Sequence, residues 1–274
     1  MEDRRRSHTL TFADIDLNRW KDYDDILTDT WWDLGPRASG NGHKLEYHGN
    51  FVPQIATQVF KRYTKQNDIV IDWFLGSGTS AIEAVNLNRR LIGVELNSEL
   101  VEHVENKLLP DVFRDRISLI CGDSTKRSTL SRVRATLSQM GSAHAQLAIM
   151  HPPYADIIRF SDLPADLSNC RSTADFLRRF KMAARSAYET LEPGRFAVLV
   201  IGDKYSKGEL DPLGFKCMQV MIDVGFTVKS IVVKNIEGNE VAKGKNNNLW
   251  RYRALKGGFY VFKHEYIMMF RRPG

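Results

Sequence analysis

Two short runs of residues combine types and spacings that can do chemistry. The first is Asp72-Trp73-Phe74-Leu75-Gly76-Ser77-Gly78-Thr79, between an apolar stretch and a helical one. Glycines in such a place let the backbone turn sharply and come close to a ligand. Nineteen residues beyond Gly76 stands Glu95, at the end of the next apolar run. A carboxylate there can accept hydrogen bonds from both ribose hydroxyls of a nucleoside cofactor. The glycines alone leave the cofactor open, because Gly76-Ser77-Gly78-Thr79-Ser80-Ala81 also satisfies the G-x-G-x-x-A pattern of nicotinamide and flavin enzymes. Asp72 separates the two. Its carboxylate, two residues before Phe74, would repel a pyrophosphate and attract the ammonium of a methionine moiety, which favours S-adenosylmethionine. The plainer readings are a turn cap for Asp72 and a solvated strand-end charge for Glu95.

The second run is His151-Pro152-Pro153-Tyr154, directly after an apolar stretch that ends at Met150. Consecutive prolines fix φ and remove two backbone donors, which makes a rigid corner rich in acceptors. An exocyclic base amine is a weak nucleophile because its lone pair is delocalised into the ring, and acceptors for its N–H groups localise that pair. The His151 side chain and the Pro152 carbonyl can serve, and Tyr154 can stack on a base flipped from its duplex. An ordinary Pro-Pro turn with a packed tyrosine is the alternative. Asp123, in Cys121-Gly122-Asp123-Ser124, is placed either to meet a cofactor's adenine amine or to close a turn.

Something must hold these groups in place, and apolar periodicity predicts it. Strands are expected over 68–74, 90–95, 117–121, 145–150, 195–201, 226–233 and 259–270, and helices over 79–87, 97–108 and 176–191. This alternation predicts an α/β fold, a Rossmann-like doubly wound sheet that is mainly parallel, with ligands at the C-terminal strand ends. The 274 residues, 43% hydrophobic and 26% charged, fit one α/β domain with insertions. No apolar run approaches the roughly 18 residues of a membrane span, and the first residues lack a signal peptide's apolar core, so a cytoplasmic location is expected. Cys121, Cys170 and Cys217 stand singly, without C-x-x-C spacing, so neither a metal site nor a disulfide framework is expected. A net charge of +6 favours a polyanionic partner.

These residues resemble the amino-DNA methyltransferases, which methylate N6 of adenine or N4 of cytosine. Asp72 to Thr79 resembles their Asp-Pro-Phe-x-Gly-Ser-Gly-Thr cofactor run, with Trp73 in place of proline, and 90–97 resembles the strand and acidic residue that follow. The segment 48–53, with Asn50 and Phe51, resembles the stretch beside the cofactor's methionine end, and 263–270 resembles the closing strand. The resemblance covers about 47–271, and it implies a class I methyltransferase fold, S-adenosylmethionine as cofactor and duplex DNA as substrate, as in restriction-modification systems. By position, Asp72, Phe74, Gly76, Ser77, Gly78, Thr79, Glu95, Asp123, Asn50 and Phe51 would hold the cofactor, and His151 to Tyr154 would be catalytic.

Two departures stand out. His151 occupies the place of the family's usual Asp, Asn or Ser, and a neutral imidazole accepts a hydrogen bond where an imidazolium cannot. No long insertion separates the two motifs, so target recognition is expected in 155–172 or in the basic stretch 234–258. The latter carries Lys234, Lys243, Lys245, Arg251, Arg253 and Lys256 with Trp250 and Tyr252 interleaved, a composition suited to phosphates and bases or to a solvated loop. Lys243, Lys245, Arg251 and Arg253 are the expected DNA contacts. The expected division is an N-terminal extension over 1–46 and a catalytic domain over 47–274, with a DNA-contacting insertion at 234–258. An RNA base methyltransferase and a non-catalytic DNA-binding relative are the alternatives, and nothing in the sequence speaks to the oligomeric state.

Overall fold

The computed structural model describes residues 9–39, 50–108, 115–154, 159–206, 208–236 and 247–274. In chain order the elements are Trp31–Trp32 (β1), Pro53–Tyr63 (α1), Ile69–Asp72 (β2), Thr79–Asn86 (α2), Arg90–Glu95 (β3) and Ser98–His103 (α3). Ile117–Cys121 (β4), Arg127–Gln139 (α4), Ala145–Met150 (β5), Thr173–Thr190 (α5) and Leu191–Ile201 (β6) follow. The chain then runs through Lys204–Ser206 (β7), Glu209–Asp211 (β8), Leu213–Val224 (α6), Thr227–Asn235 (β9), Asn247–Gly257 (α7) and His264–Arg271 (β10).

Eight strands form one sheet in the order β1-β9-β10-β6-β5-β2-β3-β4, while β7 and β8 pair separately. Strands β4, β3, β2, β5 and β6 are mutually parallel, and β10 runs antiparallel between β6 and β9. The doubly wound, mainly parallel fold is thus the one the sequence implies. Burial on both faces explains the continuous apolar runs of the central strands, since alternate side chains enter different cores. In β6, Ala197, Leu199 and Ile201 join one core with Phe176, Phe180 and Met221 of α5 and α6. Phe196, Val198 and Val200 join the other with Ile55, Phe60 and Ala84 of α1 and α2.

The order of strands reverses between β2 and β5, and an open α/β sheet places its ligand crevice at that point, beyond the strands' C-terminal ends. The glycine loop leaves β2 and the His-Pro-Pro-Tyr corner leaves β5, so both chemical motifs flank the crevice.

Helices α1, α4 and α6 go beyond what apolar periodicity predicted. Helix α1 begins with Pro53, whose fixed φ suits a first turn, and buries Ile55, Ala56, Val59, Phe60 and Tyr63. Helix α4 is polar apart from a narrow buried stripe of Leu130, Val133 and Leu137. The first residues, expected as an extension, take part in the sheet: Trp31 and Trp32 pair in parallel with Val233 and Lys234, and Trp32 is buried. Arg89, itself buried, reaches Asp14 at 3.2 Å. Among the described residues no helix is long and apolar enough to cross a membrane.

Candidate active site

The turn after β2 is built by two left-handed glycines, Gly76 at φ 56° and Gly78 at φ 87°. Gly78 caps α2, and a Cβ there would stand 3.0 Å from Val104 Cγ2 and 3.1 Å from Cγ1. The sequence explains this glycine by close approach of a ligand; the structure adds backbone conformation and packing against Val104. Gly78→Ala is therefore expected to cost about 1–2 kcal/mol of stability from the left-handed strain alone. An unchanged urea midpoint would mean that the turn relaxes.

The acidic residues anchor this turn. Glu95 Oε2 accepts from the Gly76 N–H at 2.8 Å and Oε1 from the Asn97 N–H at 2.9 Å. Burial raises its pKa, against the pull of those backbone donors. Asp72 is 1% exposed, its Oδ1 accepting from the Phe74 N–H at 3.0 Å and its Oδ2 from the Ser80 hydroxyl. Burial pushes its pKa up to about 6. In this state Asp72 caps the turn, the plainer of its two readings. Asp123 likewise accepts from the Thr125 N–H at 2.8 Å and hydroxyl at 2.7 Å, and the neighbouring Ser124 hydroxyl donates to the Trp73 carbonyl. The Trp73 ring lies wholly buried, and its indole Nε1 is the one buried side-chain donor without a partner among the described residues.

Asn50 and Phe51 link the two motifs. The Asn50 amide donates to the Ser77 hydroxyl, while the Phe51 ring meets His151 edge-on with centroids 5.4 Å apart. Arg37 holds both backbone carbonyls, at 3.2 Å and 3.0 Å. Thr79 is buried at the start of α2, and Phe74 is partly buried against the core.

His151 is enclosed between Phe51 and Tyr154, whose ring centroid lies 5.6 Å away. Behind it runs a line of polar groups. His151 Nε2 is 3.3 Å from Tyr154 Oη, Tyr154 Oη donates to Glu265 Oε2 at 2.9 Å, and Lys234 Nζ donates to Glu265 Oε1 at 3.0 Å. Lys234 on β9 and Glu265 on β10 are cross-strand partners, 6% and 8% exposed. Burial lowers the His151 pKa and so favours the neutral imidazole; Glu265 opposes the shift and Lys234 adds to it. The Tyr154 ring lies against the end of β6, where a Cβ on Gly202 would come within 3.0 Å of Cε2. The tyrosine expected as a stacking platform is thus also tied through its hydroxyl to the sheet.

Lys234 corrects the sequence reading, which counted it among basic residues of an exposed stretch: it is buried and paired with a carboxylate, so no phosphate reaches it. Sequence reasoning missed Glu265, Lys234 and Arg37 as members of the site. Part of the expected loop is helix α7, on which Arg251 and Arg253 are exposed, the latter stacked over Trp250 at 5.3 Å. Lys243 and Lys245 lie outside the described residues, as do 155–158 of the other candidate segment. Cys121 is exposed, Cys170 and Cys217 are buried, and all three are free thiols. No group of three or more potential metal ligands occurs among the described residues.

Comparison with known proteins adds to this geometry. Residues 3–106 match the model of the N6/N4 DNA methylase family. The type II methyltransferase M1.MboII of Moraxella bovis is 43% identical over 65 residues, 24% of this chain and 25% of that protein. The type II methyltransferase M.MthZI of Methanothermobacter thermautotrophicus is 30% identical over 91 residues, 32% and 26% of the two chains. The matches thus span about a quarter of these relatives' length. Among solved structures, TrmN from Thermus thermophilus superposes with a TM-score of 0.50 over 82% of this chain and 50% of its own, at 13% identity, a likeness of fold.

Proposed function

We infer that this chain, which belongs through residues 3–106 to the amino-DNA methyltransferase family, methylates an exocyclic amine of a base in duplex DNA, N6 of adenine or N4 of cytosine. The observation that carries this reading is the meeting of the glycine turn, its two strand-end carboxylates and the His151 corner at one switch point of the sheet. S-adenosylmethionine is the cofactor, and it supplies an electrophilic methyl group when bound.

The residues present fit it. The turn at Gly76 and Gly78 needs a left-handed backbone, and the half-buried Glu95 carboxylate keeps a lone pair on each oxygen for ribose hydroxyls after its two backbone bonds. Asp72 would supply negative charge for the cofactor's ammonium, and Asn50 and Phe51 would help hold its methionine end. In the proposed mechanism Tyr154 supports the flipped base, while His151 and the Pro152 carbonyl accept from its amine and localise the nitrogen lone pair. Helix α7, with Lys243 and Lys245 before it, would follow the DNA backbone.

The deciding experiment supplies labelled methyl donor with duplex DNA and, separately, with RNA, then maps the modified base. Label in DNA supports the reading; label in RNA alone replaces its substrate. His151→Leu is expected to reduce kcat by about a hundredfold, the scale of one lost polarising contact, with cofactor affinity retained. Because burial lowers the His151 pKa, the neutral acceptor persists below the ordinary imidazole range. The acid limb of the kcat profile at saturating S-adenosylmethionine, where the titration of Asp72 does not limit binding, is therefore expected below about 6.5, activity falling as pH drops; a limb above that value would assign the titration to another group. Replacing Arg251 and Arg253 by alanine is expected to flatten the slope of log affinity against log salt by about 1–2 units, roughly 0.9 for each phosphate contact. An unchanged slope would make α7 an ordinary solvated helix.

A further inference from the structure

Buried charges lie directly behind the catalytic corner, and their hydrogen-bond polarity has one self-consistent assignment. We propose that Lys234, Glu265 and Tyr154 act as positioning residues that hold His151 as its Nε2–H tautomer, so that Nδ1 is the acceptor offered to the substrate amine. The proposal deepens the functional reading above and rests on it for the identity of that amine.

The argument starts at the lysine. An ammonium has donors only, and an ionised carboxylate has acceptors only. Lys234 Nζ, 3.0 Å from Glu265 Oε1, therefore favours an ionised Glu265, and the other carboxylate oxygen must receive a hydrogen from whatever faces it. Tyr154 Oη faces it at 2.9 Å and has a single hydrogen to give. Once that hydrogen points at Glu265, the phenol oxygen can only accept. Its neighbour on the other side, His151 Nε2 at 3.3 Å, is then the donor. A neutral imidazole with its hydrogen on Nε2 carries its one lone pair on Nδ1. The reverse polarity would set phenol and carboxylate oxygens 2.9 Å apart with no hydrogen between them, or would require a protonated glutamate beside an ammonium. Among the described residues, the charged and titratable groups facing His151 are Glu265 and Lys234 from β10 and β9, with Tyr154 from its own segment.

This matters because an aspartate in the same place offers acceptors in any orientation, whereas histidine offers one. A wrong tautomer would present a hydrogen to the amine and cancel the contact, much as a wrong imidazole tautomer disables other enzymes.

Nitrogen NMR on the free, uniformly labelled full chain reads the tautomer directly through two-bond correlations of the ring protons, with His151 assigned by its loss in His151→Asn. The expected spectrum at pH 7.5 shows a protonated Nε2 and a bare Nδ1; the opposite pattern overturns the proposal. In Lys234→Met/Glu265→Gln the carboxamide can donate to the phenol, so the tautomers are expected to mix or invert. The expected fall in kcat is on the order of tenfold or more, with the KM for S-adenosylmethionine unchanged. Tyr154→Phe, which leaves the buried pair intact, provides the same reading should the double variant not fold. Retention of both the wild-type tautomer and the wild-type kcat in these variants would also overturn it. The spectrum needs no substrate, so an Nε2–H tautomer in a protein that methylates no nucleic acid would sink the functional reading and leave the assignment standing.

Discussion

Glu265→Ala is expected to lower the unfolding free energy by about 3–5 kcal/mol, the cost of stranding one member of a buried ion pair. The reason is Lys234. Lys234 is 6% exposed and its ammonium donates to the carboxylate of Glu265, itself 8% exposed, so removing the carboxylate leaves a positive charge in a place where water reaches it poorly. Attraction within such a pair does little more than offset the desolvation of both ions, so removing both charges together costs far less than removing one. Lys234→Met/Glu265→Met, which keeps apolar bulk at the two cross-strand positions, is expected to retain most of the stability that Glu265→Ala loses. Urea melts of the three proteins at pH 7 decide it. A loss below about 1 kcal/mol in Glu265→Ala would mean that the lysine stem swings its head to solvent, as long basic side chains do at a sheet edge. Among the described residues β1, two residues long, is the one strand beside β9 on that side, so the outcome also measures how firmly Trp31 and Trp32 cover the sheet edge.

That pair shows where sequence reading stops. Strands β3, β4 and β5 were legible to the residue, because parallel strands covered by helices read as nearly continuous apolar runs bounded by polar residues. The two motifs were legible as a site because each follows such a run, and a doubly wound sheet brings strand ends together without any need for register. Lys234 and Glu265 are 31 positions apart, and their meeting depends on how β9 and β10 are aligned, which no local pattern records. Hence Lys234 read as surface charge. Helix α7 was equally hidden: Leu249, Trp250, Ala254 and Leu255 form no single face, and Leu249 and Leu255 are exposed, so the period that reveals a packed helix is missing. Arg37 could be found only through its contact with the carbonyls of Asn50 and Phe51, since its sequence neighbours give it no motif.

Asp72→Asn is expected to make the protein more stable and a poorer binder of its cofactor. The carboxylate is almost wholly buried, and burial raises its pKa from the ordinary 3.8 to about 6. A carboxyl group whose folded pKa is raised contributes most below its unfolded value, and that contribution disappears as pH climbs through the folded one. Above about pH 6 the fold therefore carries an ionised Asp72 at a cost of up to about 3 kcal/mol, from two pKa units or slightly more at 1.36 kcal/mol each. Asparagine removes the charge and keeps the shape: its oxygen can accept from the Phe74 N–H and its amide can donate to the Ser80 hydroxyl. The gain over wild type is expected to be largest at pH 8, to shrink as pH falls through about 6, and to vanish only well below the unfolded value of 3.8, where Asp72 is protonated in both folded and unfolded states. Calorimetry with S-adenosylmethionine at pH 8 is expected to show affinity reduced by about tenfold or more, as the attraction for the ammonium is lost in a poorly screened setting. Higher stability with undiminished affinity would leave Asp72 as a turn cap alone. Equal stability at pH 8 would mean that the Ser80 and Phe74 hydrogen bonds already offset the burial of its charge.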